Sequence, residues 1–447
     1  MTKKPTKKVP EVFDAPAVPA ANALDDFYYD QGTGKFWCSK SNLGWQLLGT
    51  DATKRKLAKR GFALERGANQ NLSPADNALD TITETRAVDG SFPGFFRKEE
   101  IIEHHQYRLL NTSRVRFMPP HHEPHPDPVG FPWVWKYYTD LFGEQQRTVF
   151  FSWLAYFYRS ALAGRPSRGQ ALFIAGPIGS GKSFSTNAVL KPVFGAVGEA
   201  TKFLCGEDQF NSGIFGCPIW NVDDAVSNSD HLTHSRFSAA VKHVVACDEF
   251  TMRAMHKEGV RMPWNGRLVV TMNDDPDSIR MLPSGEGSML DKYILLHARA
   301  TYDQFPSDEA VRPELPHMCA YLRDMPDDPA VMVGGRFGVI AYHHPDLMRM
   351  AREESPTFST FELIQNWLAS WFSDKPKVLA WEGNPTALAV ELSQFDHNGV
   401  MRSLKLSPSS LGRNLNKLIM QKVAGIEKVP SRSGGRLYRL TRELLPS

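Results

Sequence analysis

Several features are scarce in this chain, and each scarcity excludes something. There are only five cysteines in 447 residues (Cys38, Cys205, Cys217, Cys247 and Cys319), far apart and with no C-x-x-C pair. That argues against a zinc ribbon of the bacterial primase type and against a disulfide framework, and it fits a reducing cytoplasm. Long apolar runs are missing: the longest, from Val149 to Tyr158, is too short to span a bilayer and is helically patterned. The opening MTKKPTKK is basic with no apolar stretch behind it, so no signal peptide and no membrane anchor are expected. Net charge is only +3, so any basic surface must be local. Ahead of residue 128 no paired-carboxylate pattern stands out that would serve polymerase or primase chemistry.

What is present centres on Ala171 to Ser183, ALFIA followed by GPIGSGKS. The apolar run Leu172-Phe173-Ile174 predicts a strand buried on both faces. Gly176, Gly181, Lys182 and Ser183 then match G-x-x-x-x-G-K-[ST], with Pro177, Ile178, Gly179 and Ser180 between them. Such a loop turns its backbone N–H groups inward around a phosphate, and glycines permit the φ values and close approaches that this needs. Lys182 is placed to reach the β- and γ-phosphates, and the Ser183 hydroxyl to ligate Mg²⁺. A helix should open after Ser183, its N-terminal dipole favouring the anion. The motif predicts a nucleoside triphosphate ligand with Mg²⁺.

Two further strand ends follow. Pro218 to Val222 is an apolar run ending in Asp223-Asp224. An acid at the carboxyl end of a buried parallel strand lies where ligands collect, so Asp223 is expected to hold Mg²⁺ and Asp224 to polarise the attacking water. Two aspartates after a strand also suit a helix cap, but their position behind the glycine loop favours the catalytic reading. Arg267 to Met272 is another buried strand, closing on Asn273, which is suited to bond the γ-phosphate and the lytic water. Between these strands a helix is expected around Arg236 to Val245. MRAMHKEGVRM then reads as a hairpin with His256, Lys257 and Gly259 in its turn.

The flanks divide the chain. Residues 1–25 read as a disordered tail rich in Lys, Pro and Ala, and 26–128 as an α+β region of unassigned role. In the latter, Phe27–Tyr29 and Lys35–Trp37 suggest a hairpin. A strongly basic helix follows, with Thr50 as N-cap and Gly61 at its end, which reads as a solvated face before it reads as a nucleic-acid contact. FPGFF near Phe95 predicts a tight turn before another polar helix. PPHHEPHPDP, with His121, His122 and His125, reads as a proline-rich linker in preference to a metal site, because its prolines enforce an extended chain. Residues 129–166 predict a helical collar, with Phe150, Trp153, Leu154, Phe157 and Ala161 on one apolar face. Residues 167–355 hold the motor motifs, and 356–447 a separate module.

In that last module Phe361, Ile364, Trp367, Leu368 and Trp371 are helically spaced, Pro385 to Phe395 predicts a second helix, and Ser407-Pro408 opens a third. Strands are expected at Gly425–Val429 and Arg436–Leu440. Three helices and a β-wing are the pattern of a winged helix-turn-helix. Residues 401–447 carry ten Lys/Arg against two Glu, a local charge of +8. That excess marks Arg413, Lys417, Arg432 and Arg436 as candidate DNA contacts, with protein docking as the alternative use of such a module.

Taken in order, GPIGSGKS, PIWNVDDA and RLVVTMN resemble the motifs of superfamily 3 helicases, the AAA+ motors of viral, phage and plasmid replication proteins. The likeness is strongest to the helicase half of phage and poxvirus-like primase–helicases, and it covers about residues 130–300 well. The Phe210-Asn211 pair also resembles the phage members. The resemblance implies an α/β fold, an AAA+ P-loop motor with a parallel sheet, and a homohexameric ring. It implies ATP-driven translocation on single-stranded and forked DNA, with a separate primase as an allowed partner. It also implies a lysine on a DNA-contacting hairpin, where Lys257 falls beside His256. Phage relatives carry an Asp-Arg-Arg element that supplies arginine to the neighbouring subunit; here the comparable place reads Leu290-Asp291-Lys292-Tyr293. The candidates for that role are Lys292, Arg280 and Arg299. The alternatives are an AAA+ initiator or loader that binds DNA and ATP without unwinding, and a P-loop kinase or defence NTPase.

Overall fold

The computed structural model describes residues 22–40, 44–68, 70–124, 126–223, 231–247, 249–253, 259–283, 289–299, 307–332, 336–430 and 436–445. The expected first hairpin forms from β1 (Phe27–Asp30) and β2 (Lys35–Lys40), with Phe27 opposite Cys38. β3 (Gly44–Leu48) and β4 (Ala87–Val88) complete a four-stranded sheet of order β3-β2-β1-β4. Helices Thr50–Ala58 and Pro74–Thr85 supply Leu57, Ala78, Leu79 and Ile82 to a small core with Phe27, Phe36 and Cys38. Gly49, not Thr50, is the N-cap of the first helix; it has no side chain to cap with, and the Thr50 backbone is already helical.

Around FPGFF the chain makes strands, and the expected polar helix does not follow it. β5 (Gly90–Phe92), β6 (Ile101–His104) and β7 (Tyr107–Asn111) form a sheet of order β5-β7-β6. The helix-favouring Arg97-Lys98-Glu99-Glu100 is outweighed by tertiary packing, because Phe92, Phe95, Phe96, Ile102 and Leu109 all enter the central core. That core therefore begins ahead of the proline-rich linker and continues to Leu347.

At its centre lies a five-stranded parallel sheet. Its strands in chain order are β8 (Ala171–Ala175), β9 (Val197–Glu199) and β10 (Ile219–Asp223). The antiparallel pair β11 (Phe250–Met252) and β12 (Val260–Met262) comes next, then β13 (Arg267–Met272) and β14 (Tyr293–His297). The sheet order is β14-β8-β13-β10-β9. Every residue of β8 and of β13 is buried, as a parallel strand covered on both faces requires. Along one side runs the helical stretch Pro132–Leu162, broken at Gly143 (φ 71°), where an added Cβ would lie 2.7 Å from the Arg299 guanidinium. Phe150, Trp153, Leu154, Phe157 and Ala161 are buried in the same core as the sheet, so this stretch packs as part of that body. Helix His231–Ala246 covers the expected 236–245. Helices Leu315–Asp324 and Pro345–Glu353 complete this part, with Leu315, Met318 and Leu347 in the core.

The C-terminal module has a core of its own, built from Ile364, Trp367, Leu368, Leu388, Leu392, Leu411, Leu415, Tyr438 and Leu440. Its helices are Pro356–Asp374, Pro385–Phe395 and Pro408–Met420, the last with a Ser407/Ser410 capping box. Its sheet, β15 (Ala380–Gly383), β16 (Ile426–Val429) and β17 (Leu437–Thr441), has the order β15-β17-β16. The sequence pattern missed β15, a four-residue strand in which only Trp381 is buried.

The central and C-terminal cores share no residue and predict separable unfolding events. Leu415→Ala should cost about 2–5 kcal/mol within the C-terminal module. In differential scanning calorimetry of the full chain it should lower one transition and leave the other in place. A single transition that moves as a whole would contradict independent cores.

Candidate functional site

The loop leaving β8 needs its glycines. An added Cβ on Gly176 would sit 2.5 Å from the Ala298 carbonyl oxygen, and Gly179 and Gly181 have φ of 77° and 95°. Gly181 caps a continuous helical stretch formed by Lys182–Phe184, Ser185–Leu190 and Lys191–Phe194. Ser180 and Lys182 are buried, while Ile178, Gly179 and Ser183 face solvent. The Lys182 ammonium donates to the carbonyl oxygens of Gly176 and Pro177, each at 2.8 Å. It also lies 3.4 Å from Ser180 Oγ and from Asn273 Oδ1.

Parallel register aligns the other two strand ends with this loop. Ala175 of β8 pairs with Met272 of β13, so Asn273 leaves its strand beside the loop. Asp223 at the end of β10 pairs with Thr271 of β13, whose hydroxyl bonds Asp223 Oδ1. The Ser183 hydroxyl donates to the Asp223 carboxylate at 3.0 Å. A hydroxyl and a carboxylate in contact are a hard-oxygen pair suited to Mg²⁺, which binds through few protein oxygens and retains water. Lys182, Ser183, Asp223 and Asn273 are thus brought together. Asp224 lies outside the described residues.

The sequence pattern did not reveal what supports the loop. Tyr137, on the long helix, donates its hydroxyl to the Gly181 carbonyl at 2.8 Å, and Tyr138 meets Ser185 Oγ at 2.8 Å. Full burial raises the pKa of the Tyr138 phenol, keeping it neutral. At the end of β14, His297 lies 3.2 Å from Asp274, and its backbone is held at both N–H and C=O by Gln146. Tyrosines on an aromatic helix look like core in sequence, and only the fold aims their hydroxyls at the loop.

The three candidates for a finger occupy different settings. Arg280 is exposed and engaged by Glu354 at 2.8 Å and Asp277 at 2.9 Å. Arg299 is exposed and lies against Gly143, one residue beyond Ala298. Lys292 is buried, pairs with Asp291 at 2.7 Å, and precedes β14 at the amino ends of the strands, the end opposite the loop.

His256 and Lys257 lie outside the described residues, but both strands of their hairpin are described. Buried Asn211 clamps its base: Oδ1 accepts from the Arg253 N–H at 2.7 Å, and Nδ2 donates to the Thr251 carbonyl at 3.0 Å. In the C-terminal module Arg413 is exposed and Lys417 half-buried on one helix, and Arg436 is exposed ahead of β17. Arg432 lies outside the described residues.

Residues 174–285 match a family of unknown function (DUF5906). No curated protein matches. Among solved structures the chain is similar to the apo C-terminal region of NrS-1, with a TM-score of 0.54 and 13% identity over 93% of this chain and 96% of that one. A second apo structure of that region, residues 305–718, gives 0.54 and 13% over 93% and 95%. These values establish a shared fold. A likeness to SCCmec type IV Cch, described as an active helicase, has a TM-score of 0.29 at 11% identity over 89% of this chain and 73% of that one, and carries no argument.

The close approach at Gly176 gives a direct test. Gly176→Ala must displace either the loop or the Ala298 backbone, so ATP affinity should fall at least about tenfold, equivalent to about 1.4 kcal/mol. Fluorescent-nucleotide titration measures this. Unchanged affinity would show that the loop does not hold the nucleotide in this geometry.

Proposed function

We propose that the chain is an ATP-dependent DNA helicase of the superfamily 3 kind, an AAA+ ring motor that translocates on single-stranded DNA in replication of a phage or mobile element. The observation that carries this reading is the meeting of Lys182, Ser183, Asp223 and Asn273 at the carboxyl ends of three adjacent strands. On binding, Lys182 exchanges its carbonyl partners for the β- and γ-phosphates. Ser183 and Asp223 hold Mg²⁺, which neutralises charge on those phosphates. Asn273 senses the γ-phosphate, and Asp224 orients the attacking water. Of the finger candidates, Arg280 and Arg299 are the better suited, because an exposed guanidinium reaches a neighbour's phosphate bidentately and a buried ammonium does not.

DNA engagement rests on two parts. The β11–β12 hairpin carries Lys257 and His256 in its turn, and six copies in a ring would grip phosphates without reading sequence. The C-terminal module, with its three helices and three-stranded antiparallel sheet, supports the winged-helix reading, with Arg413, Lys417, Arg432 and Arg436 as phosphate contacts.

The test is unwinding of a forked duplex with and without ATP, using protein shown to be hexameric by light scattering. Lys182→Ala should lower ATP hydrolysis by about 100-fold or more and abolish unwinding. Asp224→Asn should bind nucleotide but not turn it over. Lys257→Ala should keep basal hydrolysis and hexamers while losing DNA stimulation and strand separation. Hydrolysis without strand separation by the wild-type hexamer would favour the loader reading, and full unwinding by Lys257→Ala would sink the channel hairpin.

A further inference from the structure

Away from the nucleotide site, two segments distant in sequence bring three metal-ligating side chains together. β6 ends at His104, and His105 opens the turn into β7; Glu249 lies just before β11. The Nε2 atoms of His104 and His105 lie 2.9 and 2.6 Å from the same oxygen, Glu249 Oε1. All three ligand atoms fall within 4.8 Å of one another.

Consecutive residues of a strand point to opposite faces, so two neighbouring imidazoles do not ordinarily converge. Here they do because His105 takes φ of 52°, a left-handed conformation that costs a residue with a Cβ on the order of 1 kcal/mol and that glycine adopts freely. The rings end 4.3 Å apart, tilted over one point. His104 Nε2 is buried and, despite its proximity to Glu249, is off the line of a hydrogen bond, with no such partner among the described residues. A neutral imidazole that carries its proton on Nδ1 can offer Nε2 to a metal, and a metal here would take the place of the direct contact with the carboxylate.

We propose that His104, His105 and Glu249 form a binding site for a divalent transition metal of the zinc type. Two imidazoles and one carboxylate suit Zn²⁺, whereas Mg²⁺ and Ca²⁺ prefer all-oxygen shells. Bonds of about 2.0–2.2 Å in tetrahedral geometry place ligand atoms about 3.4 Å apart, so the two histidine-to-carboxylate distances need to open by less than about 1 Å. Water fills the fourth position. The ion joins the β6–β7 hairpin to the segment entering β11, the strand whose far end leads into the Lys257 turn. It acts as a clip across a sequence separation of 144 residues. The inference stands apart from the ATPase reading, and metal binding tests it without any activity measurement.

The experiment uses the full chain, stripped with a chelator and then dialysed against micromolar Zn²⁺, with bound zinc measured by atomic emission and Co²⁺ substitution followed by visible absorption. Wild type should take up about one equivalent, with the intense d–d bands of a four-coordinate site. His104→Ala and Glu249→Gln should each lose it, and His121→Ala should retain it. His105→Gly removes a ligand while relieving the backbone strain. It should therefore fold at least as stably as metal-free wild type, bind no zinc at this site and show no rise in thermal midpoint on adding Zn²⁺. Absence of zinc uptake by wild type, or retention of the equivalent by His105→Gly, would overturn the proposal.

Discussion

Strand β8 has hydrogen-bonded neighbours on both edges and no exposed residue, and the architecture of the central domain follows from that burial. A backbone buried this deeply must find all its partners within the sheet, which locks the register of β8 against β13 and β14. The register then sets where each strand ends. Asn273, Asp223 and the glycine loop leave the sheet on the same side because their strands are parallel and aligned, without any direct bond needed to hold the three segments together. The contacts among Lys182, Asn273, Ser183 and Asp223 are consequences of that alignment.

Lys182 shows how the loop is balanced. A buried ammonium is costly unless charge-assisted hydrogen bonds compensate it, and the two carbonyls at 2.8 Å provide them. A triphosphate would offer full negative charge in place of carbonyl dipoles, so an exchange of partners would favour the anion. The tyrosine bonds from the long helix hold Gly181 and Ser185 in place, which would keep the ordering cost of nucleotide binding low.

Much of this was legible in the residues. The three strand-end motifs, the first hairpin, the long aromatic helix and the three C-terminal helices all follow from apolar periodicity and glycine or serine punctuation. The misreadings have physical causes. Arg97 to Glu100 has the composition of a helix, but Phe92, Phe95 and Phe96 are drawn into a core that no local pattern announces. β15 is too short to alternate visibly. Tyr137, Tyr138 and Thr271 act through hydroxyls whose direction only the tertiary fold sets, and His104, His105 and Glu249 are separated by the whole linker and helix before the fold unites them.

The central claim is that the loop, Ser183 and Asp223 make one Mg²⁺–ATP site. Calorimetric titration of the full chain with ATP tests it most directly, run with Mg²⁺ and again with the metal chelated. One ATP per chain, with affinity at least about tenfold weaker without Mg²⁺, is the predicted result. No heat of binding, or an affinity indifferent to Mg²⁺, would contradict it.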